Sequence, residues 1–268
     1  MTNGGDNIQS HGVQQGDDDG RHPEGLRDEI HIAVIGDVHG ELYHLKKVTD
    51  HLASLSVDAV LLVGDFGSPE FELSRWRKNS AEPLLVKEMR RVFSLVERLN
   101  VPYLWVPGNH DYPNVDLPGK CDRIVADLLG VRIFGIGGAG PGRFGFPYEW
   151  DEDEIRALEI PPCDVILSHA PPARTPLDKL FHAERHVGSE AVREIAEQHK
   201  GALVCGHIHE AYGTVRLQQC LCMNAGSLGD PYGSIQVGFI IFSRSRGICT
   251  QVIYENLLTG RKQIEHQR

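Results

Sequence analysis

With 268 residues and 41% apolar content, the chain is long enough to bury the core of one α/β domain. Its formal net charge of −10 argues against a nucleic-acid polymer as partner, because no Lys/Arg stripe supplies counterion release along a phosphate backbone. Its apolar runs fall far short of the ~20 residues that a membrane-crossing helix needs, which excludes a membrane span of that kind.

In chain order, residues 1–28 are rich in Asp, Gly and Gln and lack apolar periodicity. Too little surface can be buried there to offset the entropy of ordering, so a disordered acidic tail is predicted, followed by one catalytic domain over 29–268. The tail has neither an apolar stretch behind a basic start nor an Arg-rich amphipathic pattern, so a cytoplasmic address is expected. Apolar runs at 31–35 and 59–63 end in Gly36 and Gly64 and read as buried strands. Residues 41–53 and 82–99 place apolar side chains at three-to-four spacing, as in Leu85, Met89, Val92, Phe93 and Val96, and predict helices.

Further strands are predicted at 101–106, 132–136, 164–167 and 202–205, with helices at 151–159 and 189–200. This alternation points to a layered α/β fold. Residues 138–147 hold too much Gly and Pro for a regular element and predict a mobile loop. After Gly206 come short runs at 213–217, 220–224, 236–242 and 249–254, from which a second, largely antiparallel sheet is expected. The six cysteines show no CxxC pair and read as reduced core residues.

The chemistry lies where strands end. Gly36-Asp37-Val38-His39, Gly64-Asp65, Gly108-Asn109-His110-Asp111, Ser168-His169 and Gly206-His207-Ile208-His209 each put oxygen or imidazole donors directly after an apolar run. Carboxyl ends of strands in an open α/β sheet meet at a crevice, so these donors can converge. Mixed Asp, Asn and His ligands suit borderline divalent ions such as Mn, Fe or Zn.

Taken in this order, the five motifs resemble the calcineurin-like metallophosphoesterase signature over about residues 30–242. The stretch from His169-Ala170-Pro171-Pro172 to Gly206-His207-Ile208-His209-Glu210 is similar to the small bacterial and archaeal branch related to metallophosphoesterase-domain-containing proteins. The resemblance implies a four-layer α/β/β/α sandwich of two mixed sheets flanked by helices. It implies two divalent metal ions, manganese foremost, with iron, zinc, nickel or magnesium as alternatives. Asp37, His39 and His209 would hold one ion, Asn109, His169 and His207 the other, and Asp65 both. A metal-bridging hydroxide would attack the phosphorus of a small phosphorylated substrate, with His110 as general acid.

The second motif departs from that of protein phosphatases of the superfamily. They continue it as Gly-Asp-x-Val-Asp-Arg-Gly, whereas this chain reads Gly64-Asp65-Phe66-Gly67-Ser68-Pro69-Glu70. The acid that orients the histidine and the phosphate-binding arginine are both missing, which leaves the orientation of His110 open and makes Arg143 a candidate phosphate contact. Phosphodiesters are favoured over monoesters. A phosphomonoesterase, a protein phosphatase, a nuclease and a metal-stabilised scaffold without catalysis are the rivals. Tyr112, Phe144, Phe146, Tyr148 and Trp150 are candidates for an apolar wall against a base or aryl group. His44, His51, His182, His186 and His199 read as surface or loop residues.

Overall fold

The computed structural model describes residues 27–67, 81–140, 144–229 and 231–267. Residues 1–26 of the expected tail and Arg143 lie outside them. Twelve strands are described, in two six-stranded sheets. The first has the order β12-β11-β10-β1-β2-β3, with β1 Glu29–Ile35, β2 Ala59–Leu62, β3 Tyr103–Trp105, β10 Gln236–Ser243, β11 Ile248–Asn256 and β12 Lys262–His266. The second runs β4-β5-β6-β7-β9-β8, with β4 Val125–Leu128, β5 Val131–Ile136, β6 Val165–Ser168, β7 Ala202–Cys205, β8 Gly213–Leu217 and β9 Cys220–Asn224.

Side chains alternate between the faces of each strand, and the alternation builds the layers. Ile30, Ile32 and Val34 of β1 join Val165 and Leu167 of β6 and Val204 of β7 in a core between the sheets. Ala33 and Ile35, on the other face of β1, pack with Leu45, Val48 and Leu52 of α1 (Leu42–Leu55) and Met89 and Val92 of α2 (Ala81–Val96). Ile166 and Leu203 face Ile155 of α3 (Glu152–Arg156) and Val192 and Ala196 of α4 (Glu190–Gln198). The result is an α/β/β/α sandwich of two mixed sheets. The cysteines are free; five are buried, and Cys163 is half-buried.

One expectation is corrected. The strands after Gly206 do not make a sheet of their own. β8 and β9 extend the second sheet, where β9 pairs parallel with β7, while β10 pairs antiparallel with β1 in the middle of the first. β10 is buried along its whole length because both of its faces are covered. Strand periodicity reports burial, and it does not report the neighbour. β4 and β12 were not predicted; both are edge strands with exposed polar positions.

For the site, direction matters most. β1, β2 and β3 are parallel neighbours, as are β6 and β7 in the other sheet. Their carboxyl ends bring five loops together along one rim of the sandwich.

Candidate metal centre

Three of the five ligand-bearing loops leave their strands abruptly. His39, Asp65 and His207 have φ of 46°, 52° and 67°, left-handed values that non-glycine residues rarely adopt. Such strain persists only where the surroundings fix it, and it concentrates at functional sites. Two neighbouring glycines are required for space. A Cβ on Gly108 would overlap the Asp65 carboxylate, and one on Gly206 would overlap that of Asp37.

Two donor groups result. Ligand atoms of Asp37, His39 and His209 lie within 4.8 Å of one another, and so do those of Asp65, His169 and His207. Asn109 belongs to the second set, with Oδ1 2.9 Å from His169 Nε2. Asp65 stands between the groups. Its Oδ2 is 3.4 Å from His169 Nε2, 3.7 Å from His39 Nε2 and 3.8 Å from His110 Nε2. All seven side chains expected from the sequence are therefore brought together.

The donors fit cations better than one another. His169 Nδ1 lies 2.8 Å from the Val63 carbonyl and His209 Nδ1 lies 3.1 Å from that of Pro231. In the neutral rings these carbonyls fix the hydrogen on Nδ1 and turn the Nε2 lone pairs inward. Those lone pairs then face the Asn109 oxygen and, at 3.0 Å, His39 Nε2, an arrangement that calls for a positive charge between them. Asp37 Oδ1 and His39 Nδ1 are buried without a hydrogen-bond partner among the described residues. Unpaired buried polar atoms are costly, and a metal site is a recognised reason for them.

Protonation agrees with this reading. Burial pushes His39 and His207 down to about 3, which keeps both rings in the neutral, ligating form. Burial opposes the charge on His169, but Asp65 and Asp37 outweigh it and raise the group to about 9. The same carboxylates therefore favour positive charge at this position. Burial raises Asp37, with His169 countering it. Burial would raise Asp65 as well, yet His169, His110 and His39 around it hold it well below the usual carboxylate range.

Two further residues position the loops, and sequence reasoning gave neither a role. The Asp111 carboxylate is fully buried and accepts hydrogen bonds from the backbone N–H groups of Asp65 at 2.7 Å, Gly108 at 2.8 Å and Phe66 at 3.2 Å. It ties the loop after β2 to the loop after β3. Burial and the neighbouring Asp65 push it up to about 7. Asn224, at the end of β9, points its amide at the carbonyls on either side of His207, 3.3 Å from Gly206 and 3.0 Å from Ile208. Asp111 stood inside a visible motif, but the contacts of Asn224 carried no sequence signal.

His110 donates its backbone N–H to Asp65 Oδ1 at 3.0 Å, and its ring packs on Phe146 with centroids 4.3 Å apart. The first holds its backbone beside Asp65, and the second flanks its ring. The expected aromatic wall is smaller than five residues. Trp150 is buried and bonds the Gly137 carbonyl, Tyr148 bonds Asp122, and Tyr112 packs against the core that includes residues of α1 and α2. Among these five, Phe146 is the one placed on His110, with Phe144 beside it. Of the remaining histidines, His186 Nδ1 lies 2.6 Å from the buried Asp178, and His44 Nδ1 lies 2.7 Å from the Leu228 carbonyl.

Two adjoining carboxylate–imidazole groups on the rim of an α/β/β/α sandwich define a protein with a dinuclear metal site. The chain belongs to the calcineurin-like phosphoesterase family, whose model matches residues 30–211. A protein of Methanocaldococcus jannaschii, described only as uncharacterized, is 34% identical over 122 residues, covering 40% of this chain and 56% of that one. The match thus spans little more than half the length of this relative.

Among solved structures, a dimetal phosphatase from Danio rerio aligns with a TM-score of 0.59 at 12% identity, over 89% of this chain and 99% of that one. A phosphatase from Mycoplasma pneumoniae aligns at 0.51 with 12% identity, over 90% and 96% of the two chains. At these identities the likeness shows the fold alone.

Proposed function

We propose that the chain hydrolyses phosphate esters with two divalent cations, manganese foremost, and takes phosphodiesters ahead of monoesters. The observation that carries this reading is the position of Asp65, one buried carboxylate within 3.7 Å of imidazoles from both donor groups. Asp37, His39 and His209 would hold one cation, Asn109, His169 and His207 the other, and Asp65 both. When bound, the two cations supply Lewis-acid polarisation of the phosphoryl oxygens and a water of lowered pKa.

The chain's own residues do the rest. Asp111 and Asn224 keep the strained ligand loops in place, so little reorganisation remains when substrate binds. The His110 side chain is 20% exposed, and its Nε2 faces Asp65. From there it donates a proton to the leaving oxygen or stabilises the charge developing on it.

The preference for diesters follows from charge. A diester carries one negative charge, whereas a monoester dianion carries two, and the motif after Gly64 lacks the arginine with which protein phosphatases meet that charge. With the manganese-loaded chain, kcat/KM should be higher for bis-p-nitrophenyl phosphate than for p-nitrophenyl phosphate. A clear monoester preference would reverse the order, and hydrolysis of neither would remove the function itself.

A further inference from the structure

We infer that Phe146, with Phe144 beyond it, receives the leaving group, and that the preferred substrates are phosphate esters whose leaving alcohol carries a planar aromatic ring. The inference rests on the phosphoesterase reading, since it takes His110 as the group facing the leaving oxygen.

A leaving oxygen that accepts a proton from His110 must lie at hydrogen-bond distance from its ring, so the attached carbon skeleton falls against whatever flanks that ring. Phe146 flanks it, with centroids 4.3 Å apart at 55°. Phe144 follows at 6.3 Å from Phe146 and is 73% exposed. An apolar ring this exposed adds little to folding, yet residues 144–146, expected from the sequence to lie in a mobile loop, have their backbone tied by hydrogen bonds.

The Glu149 carboxylate accepts hydrogen bonds from three consecutive backbone N–H groups, those of Phe144 at 3.0 Å, Gly145 at 2.8 Å and Phe146 at 3.0 Å. A turn through left-handed backbone lets successive N–H groups converge on one anion, and Gly145 supplies it with φ of 80°. A Cβ at Gly145 would meet open space, so glycine serves the backbone here and not the packing. Glu149 is itself anchored, since it bridges to Ala139 and precedes the buried Trp150, whose N–H bonds the Ala139 carbonyl at 3.2 Å. A charged residue of the scaffold therefore presents two phenyl rings, in a fixed order, beside the proton donor. Rings pre-organised in this way stack on planar aromatic groups whatever their hydrogen-bonding pattern.

Competitive inhibition of the manganese-loaded, full-length chain tests the assignment. Phenylphosphonate should inhibit more strongly than methylphosphonate by roughly 10-fold, the scale of one stacked ring. Adenosine 5′-monophosphate against ribose 5-phosphate forms a second pair and tells a nucleobase from a simple aryl group. Phe146→Ala should abolish the aromatic preference in whichever pair shows it, and Phe146→Tyr should retain it. Glu149→Ala should weaken the preference with both rings still present.

Equal inhibition within both pairs, or a preference that survives Phe146→Ala, would overturn the inference while hydrolysis continues. Absence of both turnover and inhibition would instead remove the phosphoesterase reading, and this one with it.

Discussion

Asp65→Asn is expected to lower the affinity for both cations together and to take hydrolysis below detection at micromolar metal. Asparagine keeps the shape of the side chain and an acceptor for the His110 N–H, which reaches Asp65 Oδ1 at 3.0 Å. It removes the negative charge that lies 3.4 Å from His169 and 3.7 Å from His39. Even an outer partner of a metal ligand is worth roughly 10–100-fold in metal affinity, so a carboxylate shared by both groups should exceed that. Calorimetric titration of the variant with manganese reads the loss directly. Retention of one tight ion, with the other lost, would show that Asp65 serves one group and does not bridge.

His110→Ala should separate chemistry from metal binding. The ring lies 3.8 Å from Asp65 Oδ2 yet contributes to neither donor group, so two cations per chain should remain. Turnover should fall by ~100–10,000-fold, the range for a positioned acid. The loss should be smaller with p-nitrophenoxide as leaving group than with an alkoxide, because a good leaving group needs less help from a proton. Loss of both ions from the variant would move His110 into the ligand set.

The donors of this site were legible because of where they fall. A strand covered on both faces tolerates few polar side chains, so the first donors after each apolar run mark the strand end. Parallel neighbours then place those ends on one rim. That is why Asp37, Asp65, Asn109, His169 and His207 could be picked from single runs of sequence.

What failed was pairing. Residues 236–242 read correctly as a strand, but nothing in their spacing says that they pair with β1, whose residues lie some 200 positions earlier. The supports of the site were hidden for the same reason. Asp111 reaches backbone groups 45 and 46 residues away, and Asn224 reaches across 18 and 16 residues to Gly206 and Ile208. Glu149, by contrast, acts within five residues of its own position. Its contact was readable in principle, as an acid three to five residues after a glycine-containing turn.

Asp37, His39, Asp65, Asn109, His169, His207 and His209 together should hold a pair of cations. The most direct measurement is elemental analysis of the full-length chain, stripped with chelator, reloaded with manganese and freed of excess by dialysis. Two manganese ions per chain are expected, both lost when His169 and His209 are replaced together. A chain that emerges with no stoichiometric metal would contradict it.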